Sequence, residues 1–114
     1  MSIWEERAAR NEALFREVNE QVRAVAAQFG SRPEESSFVC ECSDDSCVEK
    51  IRVPVAVYER VRQDPRRFLL VPGHDNEFER VVERAGGYVI VEKEGGAGRI
   101  AAHTDPRGPS RDPR

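Results

Sequence analysis

Apolar residues near the start of the chain recur at alternating steps of four and three. The positions are Trp4, Ala8, Phe15, Val18, Val22, Val25 and Phe29, with the polar Asn11 in the same series. This spacing places all of these side chains on one face of an α-helix. Residues 3–29 contain no proline or glycine, and Gly30 follows at the position where glycine commonly ends a helix. The pattern predicts one long amphipathic helix over residues 3–29.

Two interpretations of this heptad series remain open. The series can pack on the rest of the same domain, with Asn11 at the solvent-exposed edge of the contact. It can instead bind a protein partner or a second copy of the chain, because a single asparagine in an apolar helix seam sets register and oligomeric state.

The middle of the chain alternates between strand-like and helix-like patterns. Residues 47–53 alternate polar and apolar side chains, which is typical of a half-buried strand. Pro54 then favours the first turn of a short helix that ends near Arg62. Residues 67–71 are largely apolar and predict a further strand.

Residues 78–84 fit two predictions. As a helix, they would begin with Asn76 and Glu79 in a capping box. As a strand, they would pair with the strand at 88–91 through a hairpin at Ala85-Gly86-Gly87. We favour the hairpin, since a Val-Val pair followed by charged residues and two glycines matches that template.

The composition of the chain changes at both ends of this region. Residues 30–37 are polar and serine-rich, which predicts a linker, and beyond Lys93 glycine, proline, arginine and aspartate predict disorder. The predicted fold class is α+β, with one small antiparallel sheet and a short second helix. The predicted segments are a helix at 1–29, a linker at 30–37, an α+β domain at 38–93 and a disordered tail at 94–114.

The size and hydropathy of the chain limit the classes of protein to which it can belong. A length of 114 residues suits a single domain. The longest apolar run, residues 68–72, is far shorter than the ~20 residues of a membrane-spanning helix. Residues 1–7 include two glutamates and lack the apolar stretch of a secretory signal. We therefore expect a cytoplasmic protein without a membrane partner.

The charge distribution gives one alternative function. The net charge of -3 argues against a protein that coats nucleic acid through bulk positive charge. Four arginines nevertheless cluster at Arg60, Arg62, Arg66 and Arg67. They can form an ordinary solvated surface, or they can contact phosphates or an acidic partner. A nucleic-acid-binding accessory protein or transcriptional regulator therefore remains an alternative.

The three cysteines of the chain lie close together, at Cys40, Cys42 and Cys47. Residues two apart on a strand share a face, and the turn at 43–46 can bring Cys47 back toward the first two thiols. An odd number of thiols in a cytoplasmic chain disfavours a disulfide framework. Converging thiolates are typical of a structural Zn²⁺ site, which requires a fourth nitrogen or sulfur ligand.

His74 is the candidate for that fourth ligand, because the bent Pro72-Gly73 pair precedes it at the end of a predicted strand. The other histidine, His103, falls in the predicted tail. Three acidic residues near the thiols would favour cation capture without acting as ligands: Glu41, Asp44 and Asp45. The predicted metal ligands are Cys40, Cys42, Cys47 and His74.

Other interpretations of these residues stay open. The thiols can be free cysteines in the core or at the surface, or they can form a redox-responsive switch in a thiol- and zinc-dependent regulator. His74 can be a turn histidine without a ligand role.

The sequence lacks the motifs of common enzyme classes, namely the phosphate loop, the nucleophile elbow, the HExxH helix and the dinucleotide-binding turn. Four protein ligands would saturate Zn²⁺ and leave no position for a catalytic water. We therefore expect no catalytic residues. The expected function is that of a small, non-enzymatic zinc-binding module that acts in macromolecular interaction, chiefly with protein, or in regulation.

Several short segments stand out in the sequence: Cys40-Glu41-Cys42, Cys47, Tyr58-Glu59-x-Val61-Arg62, Arg67-Phe68, Val71-Pro72-Gly73-His74 and Val91-Glu92-Lys93. Together these segments resemble an uncharacterised family of short zinc-knuckle-like proteins from high-GC Gram-positive bacteria. The resemblance spans about residues 5–93. It implies a self-contained unit and brings no known activity with it.

Overall fold

A computed structural model of the chain describes residues 3–28, 35–44, 46–103, 105 and 107. Within them the chain forms three helices and five strands. In chain order these are α1 (Ile3–Gln28), β1 (Glu35–Val39), β2 (Lys50–Pro54), α2 (Val55–Val61), β3 (Arg67–Leu70), β4 (Glu79–Arg84), β5 (Val89–Lys93) and α3 (Gly95–His103). Among these helices, none combines the length and the hydropathy that a membrane span requires.

The α+β class predicted from the sequence is confirmed, although the strands divide into two antiparallel sheets. β1 pairs with β2, and β5 lies between β3 and β4 in the other sheet. The chain passes between the sheets directly after β1, where the N–H of Glu41 donates to the main-chain oxygen of Leu69 at 2.8 Å. The cysteines lie in the segment between β1 and β2, which this hydrogen bond attaches to β3 of the other sheet.

The hairpin favoured for residues 78–93 is confirmed. β4 pairs with β5 from Glu79 opposite Lys93 to Arg84 opposite Val89, with an irregular register between Val81 and Glu83. The capping-box contact is also present, since Glu79 Oε1 accepts a hydrogen bond from the main-chain N–H of Asn76 at 2.9 Å. This contact closes a turn that leads into a strand, so the capping pattern alone did not identify the element.

The core fills the space between the two sheets and α2. Phe38 of β1 stacks on Tyr58 of α2, with ring centroids 4.7 Å apart, and both residues are fully buried. The other largest apolar contributions come from β3 and β5: Phe68, Leu69, Leu70, Val89, Ile90 and Val91. Burial of these side chains is the main stabilising contribution to the fold.

The face of α1 that packs on the domain is polar. Glu12, Arg16 and Asn19 follow one another at steps of four and three, and each is at most 1% exposed. Glu12 Oε2 lies 2.6 Å from Lys93 Nζ. Arg16 donates hydrogen bonds to the main-chain oxygens of Pro65, Arg67 and Ala101. Charge pairing and hydrogen bonds therefore compensate most of the cost of burying this polar face, although Arg16 Nε has no hydrogen-bond partner among the described residues.

The predicted apolar series lies beside this polar face. Val22 packs against the core, whereas the side chains of Val18 and Val25 are 41% and 50% exposed. The prediction that the whole series packs on its own domain is therefore wrong for these two valines. Asn11 donates to the main-chain oxygen of Ser43 at 3.2 Å. The side chains of Trp4 and Ala8, and all of Phe29, lie outside the described residues.

Two predicted segments need correction. Residues 35–37, assigned to the linker, belong to β1, and residues 30–34 lie outside the described residues. The predicted disorder from residue 94 is wrong for 95–103, which form α3. The glycines that suggested disorder allow close packing instead: a Cβ at Gly98 would lie 2.9 Å from the main-chain oxygen of Lys93. Residues 108–114 lie outside the described residues.

Candidate metal centre

Cys40 and Cys42 lie on the extended segment that follows β1, and hydrogen bonds attach this segment to the other sheet. The N–H of Cys40 donates to the main-chain oxygen of Glu49 at 3.1 Å and so continues the ladder between β1 and β2. Because side chains alternate along extended backbone, both thiols point to one side and Glu41 to the other. Val71 then donates its N–H to Cys40 Sγ at 3.2 Å, which fixes this sulfur against the end of β3.

A compact turn returns the chain to Cys47. The carboxylate of Asp44 accepts hydrogen bonds from the N–H of Ser46 at 2.9 Å and from its hydroxyl at 2.7 Å. The N–H of Cys47 donates to the main-chain oxygen of Asp44 at 3.0 Å. These are the contacts of an Asx turn, which aspartate and serine favour. The turn brings Cys47 beside Cys40 and Cys42, as its composition predicts.

A second turn presents His74. Pro72 and Gly73 are its central residues, and the N–H of His74 donates to the main-chain oxygen of Val71 at 3.0 Å. Gly73 has a φ of 90°, which only glycine adopts without strain. Proline followed by glycine with positive φ is typical of a type II turn. The turn directs the imidazole back toward the thiols.

The four donor atoms form a cluster with the spacing of a tetrahedral site. His74 Nδ1 lies 3.5 Å from Cys40 Sγ and 3.7 Å from Cys47 Sγ. Zn–S bonds of about 2.3 Å and Zn–N bonds of about 2.0 Å at tetrahedral angles place sulfur and nitrogen about 3.6 Å apart. All four donor atoms lie within 4.8 Å of one another. Sulfur atoms in such a site are about 3.8 Å apart, so metal binding would contract the cluster by about 1 Å at most.

Burial of the cluster is uneven. Cys40 and Cys42 are 1% and 2% exposed, whereas Cys47 and His74 are half-buried. Burial raises the pKa of the Cys40 thiol far above its ordinary value, and it also raises the pKa of the Cys42 thiol. The neighbouring sulfurs add to the rise for Cys40 because adjacent thiolates repel one another. A bound cation would stabilise the thiolates and release their protons.

Glu41 has a role that the sequence analysis missed. It was expected to favour cations near the site, but its side chain is fully buried on the opposite face. Its carboxylate accepts hydrogen bonds from Tyr58 Oη at 2.6 Å, from Asn19 Nδ2 at 2.8 Å and from the N–H of Leu69 at 3.0 Å. Side chains alternate along an extended segment, so the prediction that Cys40 and Cys42 share one face also predicts that residue 41 points to the other, inward face. The sequence therefore contained the signal for this role.

The other acidic residues and the second histidine do not join the cluster. Asp44 is exposed, and hydrogen bonds from Ser46 lower the pKa of its carboxyl group. Asp45 lies outside the described residues. His103 is exposed near the end of α3 and is absent from the described donor cluster.

Each arginine of the 60–67 cluster is ion-paired within the chain. Partners are Glu83 for Arg60, Glu20 and Asp105 for Arg62, Asp64 and Glu92 for Arg66, and Glu92 for Arg67. The side chain of Arg62 is fully buried. These pairs reduce the positive charge that the cluster presents to solvent.

Comparison with known proteins gives no further assignment for this arrangement. No family model matches the chain, and no curated protein or solved structure matches it.

Proposed function

We propose that the chain is a small zinc-binding module in which the metal has a structural role. The spacing of three sulfur atoms and one imidazole nitrogen carries this proposal, because it suits tetrahedral coordination by Zn²⁺. Thiolate and imidazole donors favour zinc over magnesium or calcium, which prefer oxygen ligands. Four protein ligands fill the coordination sphere, so the module is non-enzymatic. Its free thiols suit a reducing, cytoplasmic location.

The metal would join two parts of the chain that are far apart in sequence. Three ligands lie between β1 and β2, and the fourth follows β3 in the other sheet. Closing such a loop limits the conformations of the unfolded chain, and metal binding adds its free energy to folding. Zinc would therefore fix the relative position of the two sheets.

Metal analysis of the purified protein tests this proposal. We expect about one equivalent of zinc in protein prepared under reducing conditions without chelator. Cys42→Ser should lose the metal, since it removes a buried sulfur donor. Ser37→Ala is the matched control, because Ser37 is an exposed serine of β1 that is not part of the donor cluster. Wild-type protein without stoichiometric metal would overturn the proposal.

We further propose that α1 binds a second copy of the chain. An outer stripe on this helix is exposed and free of charge, and its positions are spaced at steps of four and three. It consists of Leu14, Val18, Gln21, Val25 and Gln28. Leu14 is 57% exposed, and a row of exposed apolar side chains on one helix face marks a contact surface.

The stripe is self-complementary when two helices run antiparallel. A twofold axis near Gln21 places Gln21 against its own equivalent and Val18 within one residue of Val25 of the other copy. Antiparallel helix dipoles also attract. The internal ion pairs of the 60–67 arginines support protein rather than nucleic acid as the partner.

The exposed apolar area limits the strength of this contact. Each fully exposed valine or leucine offers on the order of 100 Å², and stable dimers bury about 800 Å² per subunit. A reversible dimer is therefore proposed. Sedimentation equilibrium of the zinc-loaded protein and of Val18→Glu tests it.

A further inference from the structure

A buried polar contact joins α1 to the segment that carries two of the candidate metal ligands. We infer that Asn19 and Glu41 couple the docking of α1 to metal binding, so that the docked helix raises the affinity of the site for zinc. This inference rests on the proposed zinc-binding function and names positioning residues for the same site.

Asn19 fills a gap at the edge of β1. It is fully buried, and its Oδ1 accepts the N–H of Val39 at 2.8 Å while its Nδ2 donates to the main-chain oxygen of Val39 at 2.8 Å. Hydrogen-bonded and non-bonded pairs alternate in an antiparallel ladder. The bond from Cys40 to Glu49 therefore directs the main-chain groups of Val39 away from β2. Directly before Cys40, the side chain of Asn19 therefore makes the two hydrogen bonds that a neighbouring strand would otherwise make.

The same side chain reaches the residue between the two cysteines. Asn19 Nδ2 also lies 2.8 Å from Glu41 Oε2, which accepts Tyr58 Oη as well. Glu41 Oε1 accepts the N–H of Leu69. Four groups from α1, α2 and β3 thus hold residues 39–41 from the side opposite the thiols. A fixed backbone here pre-orients Cys40 and Cys42 and lowers the entropy lost when the metal binds.

A second contact lies on the other side of the cysteines. Asn11 Nδ2 donates to the main-chain oxygen of Ser43 at 3.2 Å, so α1 contacts the ligand segment both before and after Cys42. The other fully buried side chains described on α1, those of Glu12 and Arg16, are also polar. A helix docked through such directional contacts depends on the position of each partner more than an apolar helix does. Movement of residues 39–43 therefore weakens docking.

Thermodynamic linkage makes the coupling reciprocal. If zinc stabilises the docked helix by a given factor, the docked helix raises zinc affinity by the same factor. Residues that support metal ligands from behind typically change metal affinity by about 10- to 100-fold when they are replaced.

The test measures zinc affinity by competition with a chromophoric chelator, with helix content followed by circular dichroism. Asn19→Ala should weaken zinc binding about 10-fold or more. Glu17→Ala is the matched control, since Glu17 is an exposed polar residue on the same helix and lies outside the outer stripe. An Asn19→Ala protein with wild-type helix content and an affinity within about twofold of Glu17→Ala would overturn the inference.

Asn11→Ala decides the question if Asn19→Ala does not fold. We expect a smaller loss of affinity, about threefold or more, and an unchanged affinity would overturn the inference. Hydrogen exchange gives a second measurement on the wild-type protein. Removal of zinc should raise exchange in residues 11–23 more than in residues 89–93. Equal increases in both regions would contradict selective coupling to α1. If wild type and Glu17→Ala bind no zinc, the proposed function fails as well.

Discussion

At the scale of single residues, the candidate site depends on short-range backbone preferences. The Asx turn at Asp44 and the turn at Pro72-Gly73 both follow from local chemistry. Each turn directs one donor side chain into the cluster. This is why the cluster of four donor side chains could be predicted although His74 lies 34 residues from Cys40.

Gly73→Ala should weaken both folding and zinc binding. An alanine at a φ of 90° costs about 1–2 kcal/mol, and relief of this strain would move the His74 ring away from the thiols. We expect zinc affinity to fall by up to about tenfold, since about 1.4 kcal/mol corresponds to a factor of ten.

Gly86→Ala is the matched control for this substitution. Gly86 also lies in a turn, and a Cβ there would meet no atom within 4 Å. Urea unfolding and chelator competition measure both variants. Equal behaviour of the two alanine variants would show that the positive φ of Gly73 does not position the imidazole.

At the scale of elements, the apolar stripe of α1 and the face that α1 buries are different, although in most amphipathic helices they are the same. Its apolar stripe faces outward, and its docked face carries a buried acid, a buried arginine and an asparagine. Burial raises the pKa of Glu12 from 4.5 to about 8, although Lys93 opposes this rise. Lys93 also lies 2.5 Å from Glu79, so two carboxyl groups share one ammonium group. The stability of the docked helix therefore depends on whether Glu12 is protonated.

Stability should fall as pH rises from about 4.5 to about 8. In this window Glu12 binds more protons in the folded state than in the unfolded state, because its folded pKa is the higher one. Its contribution to the free energy of unfolding is complete below pH 4.5 and decreases through pH 8, by on the order of 1 kcal/mol per pH unit.

Glu12→Gln should remove this slope, since glutamine resembles the protonated carboxyl group. Urea unfolding at pH 5, 6, 7 and 8 measures the difference between variant and wild type, so that the pH dependence of metal binding cancels. Glu17→Gln on the exposed side of α1 is the control and should keep the wild-type slope. A slope retained in Glu12→Gln would assign the titration to another group.

At the scale of the whole molecule, the chain combines a thin core with many internal charge pairs. The buried polar residues join elements far apart in sequence, as Arg62 does with Glu20 across 42 residues. Such pairs specify one arrangement of the elements because each charge is costly when left unpaired. Many charged groups of the described residues pair with one another, whereas the outer stripe of α1 carries no charge.

Val18→Glu should prevent self-association without unfolding the protein. It places a carboxylate at the centre of the proposed antiparallel contact, where the wild type is expected to dimerise with a Kd of roughly 10–100 µM. We expect the Kd to rise more than tenfold. Val48→Glu is the matched control, because Val48 is 82% exposed and lies outside the stripe. A wild-type protein that remains monomeric at about 1 mM, or an equal effect of both substitutions, would contradict the dimer.

The sequence by itself determined the features that depend on neighbouring residues. The long N-terminal helix, the hairpin at β4 and β5, and the convergence of three thiols with His74 each follow from periodicity or turn chemistry. Local preferences act over a few residues, so a single sequence is enough to predict them.

Only the tertiary structure decided which face of α1 is buried, that the strands form two sheets, and that residues 95–103 form a helix. Hydrophobic periodicity favoured the apolar series, but Glu12, Arg16 and Asn19 became the docked face because their partners lie in distant parts of the chain. A polar side chain is buried only where its charge or hydrogen bonds are matched. That match is a property of three-dimensional neighbours, and periodicity along the sequence does not reveal it.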